Sequence, residues 1–352
     1  MTPGNGRIET GGETPVPGGA EKAPMVSVVI PLFNKEGQIA ATLGSVFDQE
    51  FKDVEVIVVN DGSTDGSERA VQPFMDRIRY FKQPNSGPSV ARNRGVLAAR
   101  GKYIAFLDAD DLWRPGKLSS QVEFMERNPD IMWSGVNETY EQVDPRGTGM
   151  AVPWTSGDPE WVVFSDWFAE SVGKTIIGTP GVMLRRQVIQ AVGMFDPGIP
   201  AGQDMDLWVR IALRYPRYGY CRRPLIHVHN DLPGRISASG RRKYESTLLL
   251  VNKWLGLCSC PAATETFRAY VRSQLRILTR TTLGLGMPDI ARRALAAIPR
   301  EWRGSGWWCR RVACWMPGGL MRLLARLRRA VIVLLSAARV RPHRESWARP
   351  PP

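Results

Sequence analysis

Cysteine is scarce in this chain, and the five present, at positions 221, 258, 260, 309 and 314, form no C-x-x-C pair. An odd, unpatterned set excludes a disulfide framework and a strong zinc site, and predicts reduced, partly buried thiols. The phosphate loop G-x-x-x-x-G-K-[ST] and the dinucleotide fingerprint G-x-G-x-x-G are both missing. That argues against a P-loop NTPase and a standard nicotinamide dehydrogenase. Residues 1–24 are rich in Gly, Pro, Thr and Glu and have no apolar core, so they read as a disordered leader without a secretory signal. The C-terminal apolar run Val331–Leu335 is too short to span a bilayer. These absences together predict a cytoplasmic, reducing location.

What is present is enough for a sizeable core: 43% of the 352 residues are hydrophobic. The net charge of +13 is unevenly spread. Residues 241–352 hold 22 Lys plus Arg against 5 Asp plus Glu, while residues 1–240 hold 25 against 29. A near-neutral body with a basic tail suggests an anionic partner for the tail, either a membrane surface or nucleic acid.

The body is organised around Tyr103-Ile104-Ala105-Phe106-Leu107-Asp108-Ala109-Asp110-Asp111. Its apolar half reads as a buried strand, and it stops in three acids within four residues. An isolated Asp-x-Asp-Asp is more simply an acidic turn before the helix that Pro115 opens; the flanking segments overturn that reading. Met25–Leu32 (MVSVVIPL) and Val54–Val59 (VEVIVV) are further apolar strands, followed by Asn34-Lys35-Glu36 and Asn60-Asp61-Gly62-Ser63-Thr64-Asp65. Helical patterns separate the strands, which implies βαβ units and a mainly parallel sheet. Such sheets bind ligands beyond the carboxyl ends of their strands, where Asp61 and Asp110 both fall. Crowded carboxylates favour a cation among them, and hard oxygen donors suit Mg²⁺ or Mn²⁺. With Arg92 available to phosphate oxygens, these are the parts of a nucleotide-diphosphate site.

IPLFNKE, VVNDGSTD, QPNSGPSVARNRG and GKYIAFLDADD together resemble the family-2 glycosyltransferases of GT-A fold. The resemblance covers roughly residues 25–240. It implies an α/β, Rossmann-like sheet flanked by helices, and inverting transfer of a hexose from a nucleotide-sugar, usually metal-assisted. It further implies that Pro31 and Glu36 lie beside the nucleotide and that Asp61 contacts the base. Arg92 would meet the diphosphate, and Asp110 would hold Mg²⁺ or Mn²⁺ with Asp108 nearby. Asn60 stands where the family often has Asp.

Further along, Ala201-Gly202-Gln203-Asp204-Met205-Asp206-Leu207-Trp208 resembles the family's Glu-Asp-x-Asp-Leu-Trp segment, with Gln203 in place of Glu. By that resemblance Asp204 is the general base for the acceptor hydroxyl, a role a carboxylate can fill. Gly178-Thr179-Pro180-Gly181 resembles a segment near the donor sugar. Residues 137–175, with Trp154, Trp161, Trp167 and Phe168, correspond to a region that shapes the acceptor pocket; each aromatic could equally be core. His227 and His229 share one strand face, and His229 is open to a metal or a structural role. Arg235-Ile236-Ser237 corresponds to a flap over the donor.

Beyond Gly240 the motifs stop. Arg268, Arg272, Arg276 and Arg280 make a four-residue basic stripe, and Ala325–Ala338 mixes Arg with an apolar run near Trp302, Trp307, Trp308 and Trp315. That pattern suits a helix lying on an anionic membrane surface, or a helical region packed on the body. The expected organisation is a leader (1–24), a GT-A catalytic domain (25–240) and an Arg-rich helical region (241–352). The expected partners are a nucleotide-sugar donor, a saccharide or lipid-linked acceptor of cell-surface polysaccharide synthesis, and the inner face of the cell membrane. Two competing readings are a nucleic-acid-binding protein, which leaves the acidic crevice unexplained, and an inactive GT-A scaffold.

Overall fold

Val26–Leu32 forms strand β1, and its β-branched side chains are buried on both faces, as a strand between two helical layers requires. The computed structural model describes residues 22–140, 159–172, 177–229, 240–260 and 263–303. Trp154, the Arg235–Ser237 segment, Cys309, Cys314, Trp307, Trp308, Trp315, the 325–338 segment and most of the expected leader lie outside them.

Strands β2 (Val54–Asp61), β3 (Arg79–Gln83) and β4 (Tyr103–Phe106) join β1 in parallel. Strands β5 (Asp111–Trp113), β6 (Trp133–Tyr140), β7 (Trp161–Phe164), β8 (Met183–Arg185) and β9 (Tyr218–Val228) complete the sheet. Its order among the described residues is β3-β2-β1-β4-β8-β6-β9-β5, with β7 also on β9. The β6–β9 pair is parallel, whereas β8, β5 and β7 run antiparallel to their neighbours. The sheet is therefore parallel through its N-terminal half and mixed beyond β4. Helices α1 (Ile39–Phe47), α2 (Ser67–Val71) and α3 (Pro88–Ala98) connect the first four strands. Helix α3 begins with proline, whose missing N–H costs nothing at a first turn.

Strand β1 has β2 on one side and β4 on the other, so the winding reverses between β1 and β4. The ladder is also stepped there. Pairing of β1 with β4 ends at Val29 and Phe106, followed only by Leu107 N donating to Val29 O at 3.1 Å. Pairing with β2 continues to Leu32 and Asn60. Backbone groups alternate sides along a strand, and the carbonyls of Met25 and Val29 face β4. The nitrogen of Pro31 therefore faces the β4 side, beyond the last pairing, where no ladder bond is lost. At such a reversal an open α/β sheet has its ligand crevice, beyond the carboxyl ends of the strands.

Helices α4 (Lys117–Arg127), α5 (Trp167–Ser171), α6 (Arg186–Val192), α7 (Gln203–Arg214), α8 (Gly240–Cys258), α9 (Glu265–Gly284) and α10 (Pro288–Ala297) follow. Two compact units divide the chain, one through Ser273 and one from Gln274. The first thus runs past Gly240, because α8 and the start of α9 share an aromatic core with α5. Trp167 packs 5.7 Å from Trp133, Phe168 4.9 Å from Phe267, and Trp254 5.8 Å from Tyr270. Trp167 and Phe168 are therefore core residues, and Trp161 stacks on Phe124 at 4.0 Å. In the first unit Arg268 and Arg272 pair with Glu265. In the second unit, Leu275 and Leu278 are buried while Arg276 and Arg280 are exposed. No helix among the described residues is long and apolar enough to cross a membrane. Cys221 and Cys258 are buried free thiols, pushed up to about 12 and about 11 by burial.

Candidate active site

Two loops form one rim of the crevice by exchanging hydrogen bonds. Asn34, in a left-handed conformation at φ 50°, accepts from Thr64 N at 2.8 Å, and Lys35 N donates to Ser67 Oγ at 2.8 Å. Glu36 Oε2 accepts from Gly66 N at 2.7 Å, which commits this carboxylate to closing the β2–α2 turn. Pro31 lies at the step, and Phe33 just beyond it is 44% exposed. That aromatic face carried no signal in the sequence beyond following the strand.

Asp61 ends β2 and is buried. Its carboxylate accepts from Gln83 Nε2 at 2.8 Å, Ser86 N at 2.9 Å and Gly87 N at 2.8 Å. It therefore shapes the loop that launches α3, and of a carboxylate's four lone-pair positions one remains. From α3, Arg92 reaches across the crevice floor to Asp108 Oδ1 at 2.5 Å. Its Nε and Nη1 are buried with no hydrogen-bond partner, so this guanidinium retains donor capacity.

After β4 the chain turns tightly, with Asp111 N donating to Asp108 O at 3.1 Å and Thr42 Oγ1 donating to Ala109 O at 3.0 Å. The turn presents Asp110, whose Oδ2 lies 2.9 Å from Lys35 Nζ. His229 N donates to Asp111 Oδ1 at 3.3 Å, and His229 Nδ1 lies 2.7 Å from Asp110 O. His227 stacks edge-on at 4.8 Å from the His229 ring. Among the described residues no three His, Cys, Asp or Glu side chains gather into a complete metal site. The donors present nevertheless fit Mg²⁺ or Mn²⁺, which commonly take one or two protein carboxylates plus substrate phosphates. Asp110 already faces one cation, the Lys35 ammonium.

Asp204 lies in the first turn of α7, after Gly202, whose φ of +78° suits glycine. Its Oδ2 accepts from Thr179 Oγ1 at 3.0 Å, and its Oδ1 from Met205 N at 2.8 Å. Asp206, two residues on, is wholly buried and structural: Arg210 Nε lies 2.9 Å from Oδ2, and Lys253 Nζ 3.0 Å from Oδ1. Lys253 also pairs with Asp196 at 2.9 Å, so α8 is fastened both to α7 and to the segment before it. Burial, and after it the charge of Asp204, raises the Tyr270 phenol above its ordinary range.

Asp110 and Asp204 are linked through a 3-10 turn at Thr179–Gly181. Trp113, two residues past Asp111 in β5, donates from Nε1 to Pro180 O at 3.0 Å, and Thr179 then holds Asp204. Under this link lies Lys117, fully buried, its Nζ without a hydrogen-bond partner and 3.7 Å from the centre of the Trp113 ring. Burial pushes its pKa well below the usual lysine range. A desolvated amine with no anion beside it is best neutral, so the contact is packing rather than a full cation–π pair.

The sequence model described as glycosyl transferase family 2 matches residues 27–192. Over 202 residues the chain is 34% identical to the putative teichuronic acid biosynthesis glycosyltransferase TuaG of Bacillus subtilis, covering 56% of this chain and 75% of that protein. The chain belongs to glycosyl transferase family 2. An uncharacterized glycosyltransferase of Rickettsia felis is 35% identical over 194 residues, 53% of this chain and 30% of that protein. A second, from Rickettsia bellii, is 35% identical over 196 residues, 54% of this chain and 26% of that protein. The chain thus spans less than a third of these two relatives.

Among solved structures, S. aureus TarS 1-349 in complex with UDP-GlcNAc superposes with a TM-score of 0.63 at 16% identity, covering 86% of this chain and 89% of that one. The mannosyltransferase PcManGT of Pyrobaculum calidifontis, in complex with GDP-Man and Mn2+, gives 0.53 at 16% identity over 89% and 87%. These likenesses establish a GT-A-like fold for the family-2 chain. The family match stops at residue 192, so Asp204 and His229 lie beyond it. Sequence reasoning missed the Lys35 contact with Asp110 and the Thr179 contact with Asp204, because both join residues far apart in the chain.

Proposed function

We propose that this family-2 glycosyltransferase moves a hexose, with inversion, from a nucleoside-diphosphate sugar to a hydroxyl acceptor. The observation that carries the reading is the path of hydrogen bonds joining the Asp108–Asp110 turn to Asp204 through Trp113, Pro180 and Thr179. It puts the acids suited to the diphosphate side and a candidate base on one framework. The base ring stacks on Phe33 and uses the remaining acceptor position of Asp61, beside Pro31 and the loop that Glu36 closes. Arg92 and Lys35 face the diphosphate, each already paired with an acid that can release it. Asp110 and His229 would hold Mg²⁺ or Mn²⁺, which would supply charge stabilisation for the leaving diphosphate.

Asp204 takes the proton of the acceptor hydroxyl as its oxygen bonds to the anomeric carbon from the face opposite the departing diphosphate. The electron pair of the breaking C–O bond leaves on the phosphate oxygen. TarS with UDP-GlcNAc and PcManGT with GDP-Man support nucleotide-sugar donors of this kind. The name of TuaG supports a saccharide acceptor in cell-surface polysaccharide synthesis, one that could be lipid-linked. The basic C-terminal region would then rest on the anionic inner face of the cell membrane.

The test is a panel of UDP-, GDP- and dTDP-sugars assayed for hydrolysis and transfer with Mn²⁺, Mg²⁺ or EDTA. Metal-dependent turnover of one donor, abolished by Asp110→Ala, is expected. Binding of none of these nucleotides would overturn the reading.

A further inference from the structure

Thr179 is almost fully buried, yet its hydroxyl is spent on a partly exposed carboxylate rather than on the core around it. An ionised carboxylate can only accept, so the hydroxyl donates. The turn carrying it is held from three directions. Gly178 N donates to Glu138 Oε1 at 2.9 Å, Trp113 Nε1 donates to Pro180 O at 3.0 Å, and Gln121 Nε2 donates to Gly181 O at 3.1 Å. Glu138, Trp113 and Gln121 are all buried, and they come from three different elements, β6, β5 and α4. The turn also closes itself, through Gly181 N to Gly178 O at 3.1 Å and Val182 N to Thr179 O at 3.2 Å. The Thr179 hydroxyl is the side-chain donor that this braced turn offers to Asp204.

We infer that Thr179 is a positioning residue that fixes the Asp204 carboxylate for proton acceptance from the sugar acceptor. This rests on the reading of Asp204 as the base. Thr179 holds one oxygen, Met205 N the other, and the remaining lone pairs are left for an incoming alcohol. Without the hydroxyl the side chain of Asp204 can rotate about its own bonds, and misplacement of about 1 Å costs up to a hundredfold in rate.

The test compares Thr179→Val, which keeps the shape and removes the donor, with Thr179→Ser, which keeps the donor. With whichever panel donor the wild-type enzyme turns over, Thr179→Val is expected to lower kcat about ten- to hundredfold. Donor KM and UDP affinity should stay near wild type. Thr179→Ser should restore kcat. A valine variant with wild-type kcat, or a serine variant as slow as the valine one, overturns the inference. Failure of the parent reading shows separately, as a wild-type enzyme that turns over no donor. Crystal structures of the two variants decide in that case: an Asp204 side chain unmoved by valine overturns the inference, and one displaced by valine but not by serine supports it.

Discussion

His229 Nδ1 lies 2.7 Å from the main-chain carbonyl oxygen of Asp110. A carbonyl only accepts, so Nδ1 carries the proton and the lone pair belongs to Nε2, the tautomer a metal-binding imidazole needs. His229→Gln is expected to weaken Mn²⁺ binding in the presence of UDP about tenfold or more, read by electron paramagnetic resonance. Equal Mn²⁺ affinity in the variant would assign His229 to structure alone.

As the proposed base, Asp204 would supply a proton acceptor and no donor affinity. Asp204→Asn should lower kcat by about 10²–10⁴, the usual worth of a general base, while leaving UDP binding by calorimetry unchanged. Transfer at the wild-type rate would remove the base assignment.

Phe33 offers an exposed ring at the end of β1. If it stacks on the nucleotide base, Phe33→Ala should weaken UDP binding by about 1–3 kcal/mol. A ribose-phosphate without a base should bind both proteins equally; an alanine variant with unchanged UDP affinity argues against stacking.

Lys117 makes the fold pH-sensitive on the alkaline side. Its folded-state pKa is lowered below the ordinary value of 10.5, so the unfolded chain binds the extra proton. Stability should therefore rise as pH climbs from the folded value towards 10.5, and the full penalty applies below the folded value. Lys117→Met removes that penalty, and should be more stable by about 1–3 kcal/mol at neutral pH, with a flatter dependence towards pH 10. Urea melts at the two pH values measure this, and a less stable methionine variant would contradict it.

The strands that carry the acids were readable because β-branched runs ending in Asp or Asn have no other economical explanation. β1 and β2 lie within two residues of their expected ends. Strand β6, Trp133–Tyr140, was harder to read because its second half is polar, and Asn137 there is buried and bonded: its Nδ2 donates to Arg222 O at 2.8 Å and its Oδ1 accepts from Tyr220 OH at 3.0 Å. Trp167 and Phe168 showed no period because their partners Phe267 and Tyr270 come from a helix some hundred residues later. The motifs holding Thr179 and Lys35 were legible, but their contacts with Asp204 and Asp110 were not, for the same reason. Their partners are 25 and 75 positions away, and nothing local encodes such a meeting.

Pro31 has one more effect. An open length of strand beside a gap is a template onto which any stray extended peptide can zip, and unprotected β edges drive aggregation. At the lip where β4 has departed, the position facing outward is the one residue type with no amide hydrogen to offer. The open lip thus offers no amide hydrogen with which to recruit another polypeptide.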